Sequence, residues 1–111
     1  MRAPVIRISL GFFDADKALL LEAKLAETRE RLEPDVRALR GNLGYYVGID
    51  RANNAIHNVS FWETVDDADQ MAAFEPMRAL AAEFSALGVR FQRPILNFET
   101  LWSFAGVNGQ D

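Results

Sequence analysis

Gly41-Asn42-Leu43-Gly44-Tyr45-Tyr46-Val47-Gly48-Ile49-Asp50, then Arg51-Ala52-Asn53-Asn54, then Ala55-Ile56-His57-Asn58-Val59-Ser60-Phe61-Trp62-Glu63, is the stretch that decides the fold. Residues 43–50 and 55–63 are rich in β-branched and aromatic side chains, and the four residues between them have the composition of a turn. The pair reads as a β-hairpin. Successive strand side chains point to opposite faces. Ile56, Asn58, Ser60 and Trp62 therefore share one face, and His57, Val59, Phe61 and Glu63 share the other. Gly44 and Gly48 inside the first arm mark a bulge or a close approach.

Working upstream, residues 5–13 predict another strand, with Ile6, Ile8, Leu10 and Phe12 on one face and Arg7, Ser9, Gly11 and Phe13 on the other. Asp14 or Asp16 is placed to cap a helix that runs to about Leu32, burying Ala18, Leu21, Leu25, Thr28 and Leu32. Pro34 is expected to break that helix and leave a short turn over 35–40. Gly41 suits the left-handed position that follows a helix. Downstream, Thr64-Val65-Asp66-Asp67 has the form of a capping box and starts a helix to about Phe74. Pro76 restarts it, with Met77, Leu80, Ala81, Phe84 and Leu87 at helical spacing, and Gly88 ends it. Pro94 opens a last strand over 95–104. The predicted order is β-α-β-β-α-β, the ferredoxin-like α+β unit with a four-stranded antiparallel sheet. One domain over 1–104 and a tail over 105–111 is the simplest division.

Composition narrows the function. The chain has 111 residues, half of them hydrophobic, which is enough for a core. Its 12 Lys and Arg against 16 Asp and Glu give a formal charge of −4. That balance argues against nucleic acid, which needs clustered cations, and against anionic membrane surfaces. The chain has no cysteine, so disulfides, thiolate metal sites and Cys nucleophiles are excluded together. No apolar run is long enough to span a bilayer, and residues 1–9 lack the apolar core of a signal peptide. The expected location is the cytoplasm.

Neither face of the expected sheet is cleanly polar. Helices cover one face only, and an antiparallel sheet with water on its other face should be polar there. Strand one sets Phe13 opposite the Ile6, Ile8, Leu10, Phe12 row, and the last strand offers Leu96, Phe98 and Trp102 on one side and Ile95 and Leu101 on the other. An open apolar face of several hundred Å² is unusual for a monomer. A homodimer packed sheet on sheet is therefore expected. The alternative is that loops and the residues 105–111 cover that face.

The run 41–50 followed by Val59-Ser60-Phe61-Trp62-Glu63-Thr64 resembles the antibiotic-biosynthesis-monooxygenase superfamily of dimeric α/β barrels. The match spans nearly the whole chain in element order. It implies a dimeric barrel with a pocket between sheet and helices. The family's activities include cofactor-free oxygenation of polyketide quinols and heme degradation, and a fold shared by such chemistries does not name a reaction. Trp62 matches the family's pocket tryptophan. Asn58, four residues earlier on the same face, resembles the Asn/Trp pair of the quinol oxygenases, and Tyr45 or Tyr46 stands where a pocket tyrosine would. The heme-degrading branch also has an Asn on strand one and a His on the second helix. This chain has Arg7 or Ser9 on strand one and no histidine over 66–87, a departure that speaks against heme.

The resemblance implies Asn58 and Trp62 as catalytic residues, with no cofactor and no metal. Arg7, Ser9, Tyr45 and Ser60 would bind a small aromatic substrate. Asn58 would hydrogen-bond a developing oxyanion, Trp62 would stack on the ring, and Arg7 would hold an anion. Asn97 and Glu99 would join if register permits. Plainer readings stand beside these. Core packing alone accounts for a tryptophan near a strand end. Asn58 and Ser60 can satisfy backbone groups. The single histidine, His57, lies on the face opposite Trp62 and has no partners for a metal. Two functions follow: a cofactor-independent monooxygenase acting on a quinol- or phenol-like molecule, or a non-catalytic dimeric ligand-binding or stress-related protein.

Overall fold

A computed structural model describes residues 3–107. Strands β1 (Val5–Phe12), β2 (Asn42–Asp50), β3 (Ala55–Trp62), β4 (Arg90–Phe91) and β5 (Leu96–Glu99) form one sheet, and every pairing in it is antiparallel. The order is β2-β3-β1-β4, and β5 also pairs with β1. Helices α1 (Ala18–Arg37), α2 (Val65–Asp69) and α3 (Glu75–Ala86) pack on one face. The α+β architecture and strand order are those of the ferredoxin-like unit. The sheet is open rather than closed into a barrel.

The expected hairpin forms between β2 and β3. Asn54 takes a φ of 52°, and the Asp50 carboxylate accepts from the Asn53 backbone N–H at 3.2 Å and from its side-chain amide at 2.9 Å. Asn tolerates that left-handed conformation better than most residues, which lets it replace the usual glycine. The register shifts between Asn42 and Gly44, so a bulge sits at the first strand glycine.

Three expectations need correction. Pro34 does not break α1, which continues to Arg37. A proline removes the bond to the carbonyl four residues back. That carbonyl belongs to Glu30, which lies on the exposed side of the helix. Val36 is buried with Leu32 and Leu80 and holds the last turn onto the core. Neither Asp14 nor Asp16 caps the helix by a side-chain bond; a turn of 3-10 helix over Ala15–Lys17 leads in, and Asp14 reaches Arg90 at 3.4 Å. The fourth strand is two pieces rather than one run over 95–104. β4 pairs with Gly11 and Phe12, β5 pairs with Val5 to Ile8, and the chain between them leaves the sheet around the cis peptide Arg93–Pro94. Regular structure ends at Glu99, and residues 108–111 of the expected tail lie outside the described residues.

Other signals hold. Thr64 Oγ1 accepts from the Asp67 backbone N–H at 3.1 Å, closing the capping box. Leu21, Thr28 and Leu32 are buried along α1. Gly41 has a φ of 75°, and a Cβ there would strike the Asp67 side chain, so the position excludes other residues on both counts. No helix among the described residues is long and apolar enough to cross a membrane.

Candidate functional site

The strand faces are now assigned. Along β1, Val5, Arg7, Ser9 and Gly11 are buried beneath the helices, while Ile6, Ile8, Leu10 and Phe12 face away. The register places Arg7 opposite Ser60 and Ser9 opposite Asn58. On the next strand, Tyr45 lies opposite Ser60 and Val47 opposite Asn58. Two cross-strand rows result on the helix side: Tyr45, Ser60, Arg7, and Val47, Asn58, Ser9. Asn97 of β5 extends the first row beside Arg7, and Glu99 falls opposite Val5 at the far end.

Above these rows lies an open cavity of about 340 Å³. Its floor is Arg7, Ser9, Tyr45 and Asn58; its walls are Leu25, Thr28 and Leu32 of α1, Met71, and Met77, Leu80, Ala81 and Phe84 of α3. Such a mostly apolar space with a few polar groups is what small-molecule sites look like. The gap between β4 and β5 builds one side of the mouth, because it places Arg93 and Ile95 on the lining. Arg78 stands there too.

Arg7 is the unusual member. It is only 8% exposed, yet among the described residues its guanidinium has neither a hydrogen-bond partner nor an ion pair. Loss of water holds its pKa below the usual arginine value, and Arg93 pushes the same way; Tyr45 and Asp69 oppose them. The Tyr45 phenol is driven well above its ordinary value by burial, with Arg7 opposing, so it stays neutral. Its hydroxyl donates weakly to Met77 Sδ at 3.9 Å. The Thr28 hydroxyl is spent on the Leu25 carbonyl at 2.8 Å.

Four of the six residues picked from the sequence come together in the lining: Arg7, Ser9, Tyr45 and Asn58. The other two sit one layer behind it. Trp62 is fully buried, packed with Val5, Ala68 and Met71, and its indole Nε1 donates to Ser60 Oγ at 2.8 Å. Trp62 thus backs the floor and offers no ring face to the cavity. Met77, Phe84, Arg78 and Arg93 were not singled out as site residues from sequence. The first two read as core, and nothing local to Arg78 or Arg93 marks a pocket mouth. Among the described residues no three His, Asp or Glu side chains gather as a metal site.

No family model and no curated protein matches the chain. Solved structures do match over nearly its whole length. A protein of Shewanella oneidensis shares 17% identity with a TM-score of 0.68, over 90% of this chain and 93% of that one. A "putative antibiotic biosynthesis monooxygenase" from Deinococcus radiodurans shares 18% with a TM-score of 0.69, over 90% and 95%. The heme-degrader MhuD of Mycobacterium tuberculosis, with two hemes in its active site, shares 22% with a TM-score of 0.61, over 92% and 100%. At these identities the likeness is one of fold, and it is the fold that the sequence resemblance implied.

Proposed function

We propose that the protein binds a small aromatic molecule in the cavity over Arg7, Ser9, Tyr45 and Asn58, and that it oxygenates that molecule without a cofactor. The observation that carries the reading is the cavity itself: about 340 Å³ of mostly apolar space floored by a few polar side chains. The structural neighbour described as a "putative antibiotic biosynthesis monooxygenase" adds fold-level support.

No carboxylate among the described residues lines the cavity. A substrate processed here must therefore lose its proton readily, as a quinol or an anthrone-like ring ketone does. Asn58 presents an amide to the resulting oxyanion, and the apolar walls keep water from it. The electrons come from the substrate. Dioxygen takes one electron from the anion, the radical pair joins to form a C–O bond, and the hydroperoxide breaks its O–O bond. The proton first lost returns to the peroxide, and the same carbon gives up its second C–H proton as the O–O bond breaks, so that one oxygen stays as the product carbonyl and the other leaves with both hydrogens as water.

The lining departs from the heme-degrading branch, with no histidine on α3 among its residues. Heme iron takes His, Cys, Met or Tyr ligands. The chain has no cysteine; its one histidine, His57, alternates away from Asn58 along β3 yet touches the cavity lining, where Met71 and Met77 also stand. The Tyr45 phenol is held neutral against Met77.

The test is oxygen uptake with an anthrone or a naphthalene quinol. Wild type should consume oxygen, and Asn58→Ala should slow kcat by roughly 100-fold, the usual loss for one oxyanion donor. Equal rates would remove Asn58 from the chemistry. No uptake above buffer with any such substrate would leave the second reading, a ligand-binding protein without a reaction, which the missing carboxylate base favours.

A sheet-to-sheet homodimer belongs to the same reading. The sheet face opposite the helices carries Ile6, Ile8, Leu10, Phe12, Val59, Phe61, Leu96 and Phe98, with Tyr46 edge-on to Phe61 at 5.5 Å. The described part of the tail does not cover it, since Tyr46 is 65% exposed and Leu96 and Phe98 are about half exposed.

A further inference from the structure

The charge around the cavity runs against the charge of the chain. Acidic residues outnumber basic ones 16 to 12. Among the described residues the lining nevertheless contains three arginines, Arg7, Arg78 and Arg93, and no Asp or Glu. Their depths differ. Arg7 is buried on the sheet floor, while Arg78 and Arg93 are exposed at the mouth.

A buried guanidinium normally has a carboxylate or several carbonyls around it, because removing a cation from water without replacement is costly. Among the described residues none hydrogen-bonds the Arg7 guanidinium, which reaches the open cavity; the Asp69 carboxylate acts on it only through space. The neighbours of Arg7 in the cross-strand row, Ser60 and Asn97, provide no hydrogen bond to it, and Ser60 Oγ already accepts from Trp62. The nearby Arg93 makes the deficit larger. The Arg93 guanidinium lies over the Phe91 ring at 5.1 Å and donates to the Gln92 carbonyl, which holds it beside the opening.

We propose that the ligand is an organic anion, an aromatic carboxylate, whose carboxylate is held by Arg7 on the sheet floor while Arg78 and Arg93 draw it in through the mouth. The proposal rests on the cavity being a ligand site and adds what the ligand must carry. Arginine's planar fork matches a carboxylate with two parallel bonds. The apolar walls of α1 and α3 take the ring. Cations at the rim act mainly on association rate and salt dependence, and a buried one acts on affinity.

The probes are 2-naphthoate and its neutral isostere 2-naphthamide, measured by titration calorimetry on the full chain at pH 7. Naphthoate should bind at least 10-fold more tightly than naphthamide. Arg7→Met should weaken naphthoate by roughly 10- to 100-fold and leave naphthamide unchanged, the range for a lost hydrogen bond to a charged group. Arg7→Lys should recover part of that loss. Arg93→Gln should weaken naphthoate by only a few-fold and flatten its salt dependence. The free Arg7→Met protein should melt at or above the wild-type temperature, since an unpartnered buried charge is replaced by an apolar chain of similar length.

Equal binding of the two probes would overturn the anion proposal and leave the cavity standing as a ligand site. Binding of neither would overturn the cavity reading as well. An Arg7→Met protein that melts well below wild type would show that Arg7 holds the fold together and is not kept free for a ligand.

Discussion

The indole of Trp62 has one polar atom, and full burial leaves it one partner, the Ser60 hydroxyl at 2.8 Å. Replacing that hydroxyl orphans a buried N–H. Ser60→Ala should therefore cost about 1–3 kcal/mol. Trp62→Phe should also destabilise, by removing the donor and part of the ring. Made in the Trp62→Phe background, Ser60→Ala should cost less, with a coupling of about 1 kcal/mol. Denaturant unfolding of the four proteins measures this; strictly additive losses would mean the bond stabilises nothing. These two residues also mark how far single positions could be read. Strand alternation put Asn58, Ser60 and Trp62 on one face, and they share it. Alternation gives a side but no depth. Depth is set by how α2 and Met71 close over the end of β3, and no local pattern reports that. Arg7 was legible as a pocket cation, whereas its lack of a partner is a property of the assembled fold.

Helices α1 and α3 are clamped across their outer edge by Glu83, which pairs with Arg31 at 2.8 Å and Lys24 at 2.7 Å. Those cations, Arg31 first, hold the Glu83 carboxyl at about 2, against 4.5 in the free side chain. A carboxyl whose pKa falls on folding contributes stability above its unfolded pKa, and loses it as pH drops toward the folded value. Glu83→Gln should therefore lower the melting temperature modestly at pH 7, the pair being solvent-exposed. The gap between variant and wild type should close from about pH 4.5 down to about pH 2. A gap that stays constant across that window would show that the clamp does not act through charge. Arg31, Lys24 and Glu83 were each readable as polar helix positions, but their meeting was not, because 52 and 59 residues of chain separate the partners. Elements with local signals were easier. The Thr64 cap, the Asn53-Asn54 turn and Gly88 mark their boundaries in a few adjacent residues. Pro34 misled for the opposite reason: whether a proline ends a helix depends on what the next turn packs against, and here Val36 reaches Leu32 and Leu80.

At the scale of the molecule, the helix side of the sheet is covered and its other side is not. The exposed chain after β5 adds to the bare surface, with Leu101 and Phe104 more than four-fifths exposed and Trp102 stacked on Phe104 at 6.0 Å. This apolar arm leaves the sheet from the strand that carries Leu96 and Phe98 on the open face. The two-sided apolar pattern was visible in the sequence; which side stayed open was not, until the register placed Arg7 and Ser9 beneath the helices. A stable interface buries about 800 Å² on each partner, which the open rows and the arm would together have to supply. Two copies facing each other would cover both. Sedimentation equilibrium should then give twice the 12.5 kDa chain mass at micromolar concentration. Phe98→Arg, which puts a cation on the open face without touching the cavity lining, should raise the dissociation constant by at least 100-fold. Circular dichroism should report the same secondary structure. Trp102→Ala should weaken the dimer less, because the arm lies at the edge of the surface and rim contacts carry less of the binding energy than central ones. A wild-type mass of one chain up to 100 µM, or a Phe98→Arg protein that still sediments as a pair, would mean that the open face meets something other than its own copy.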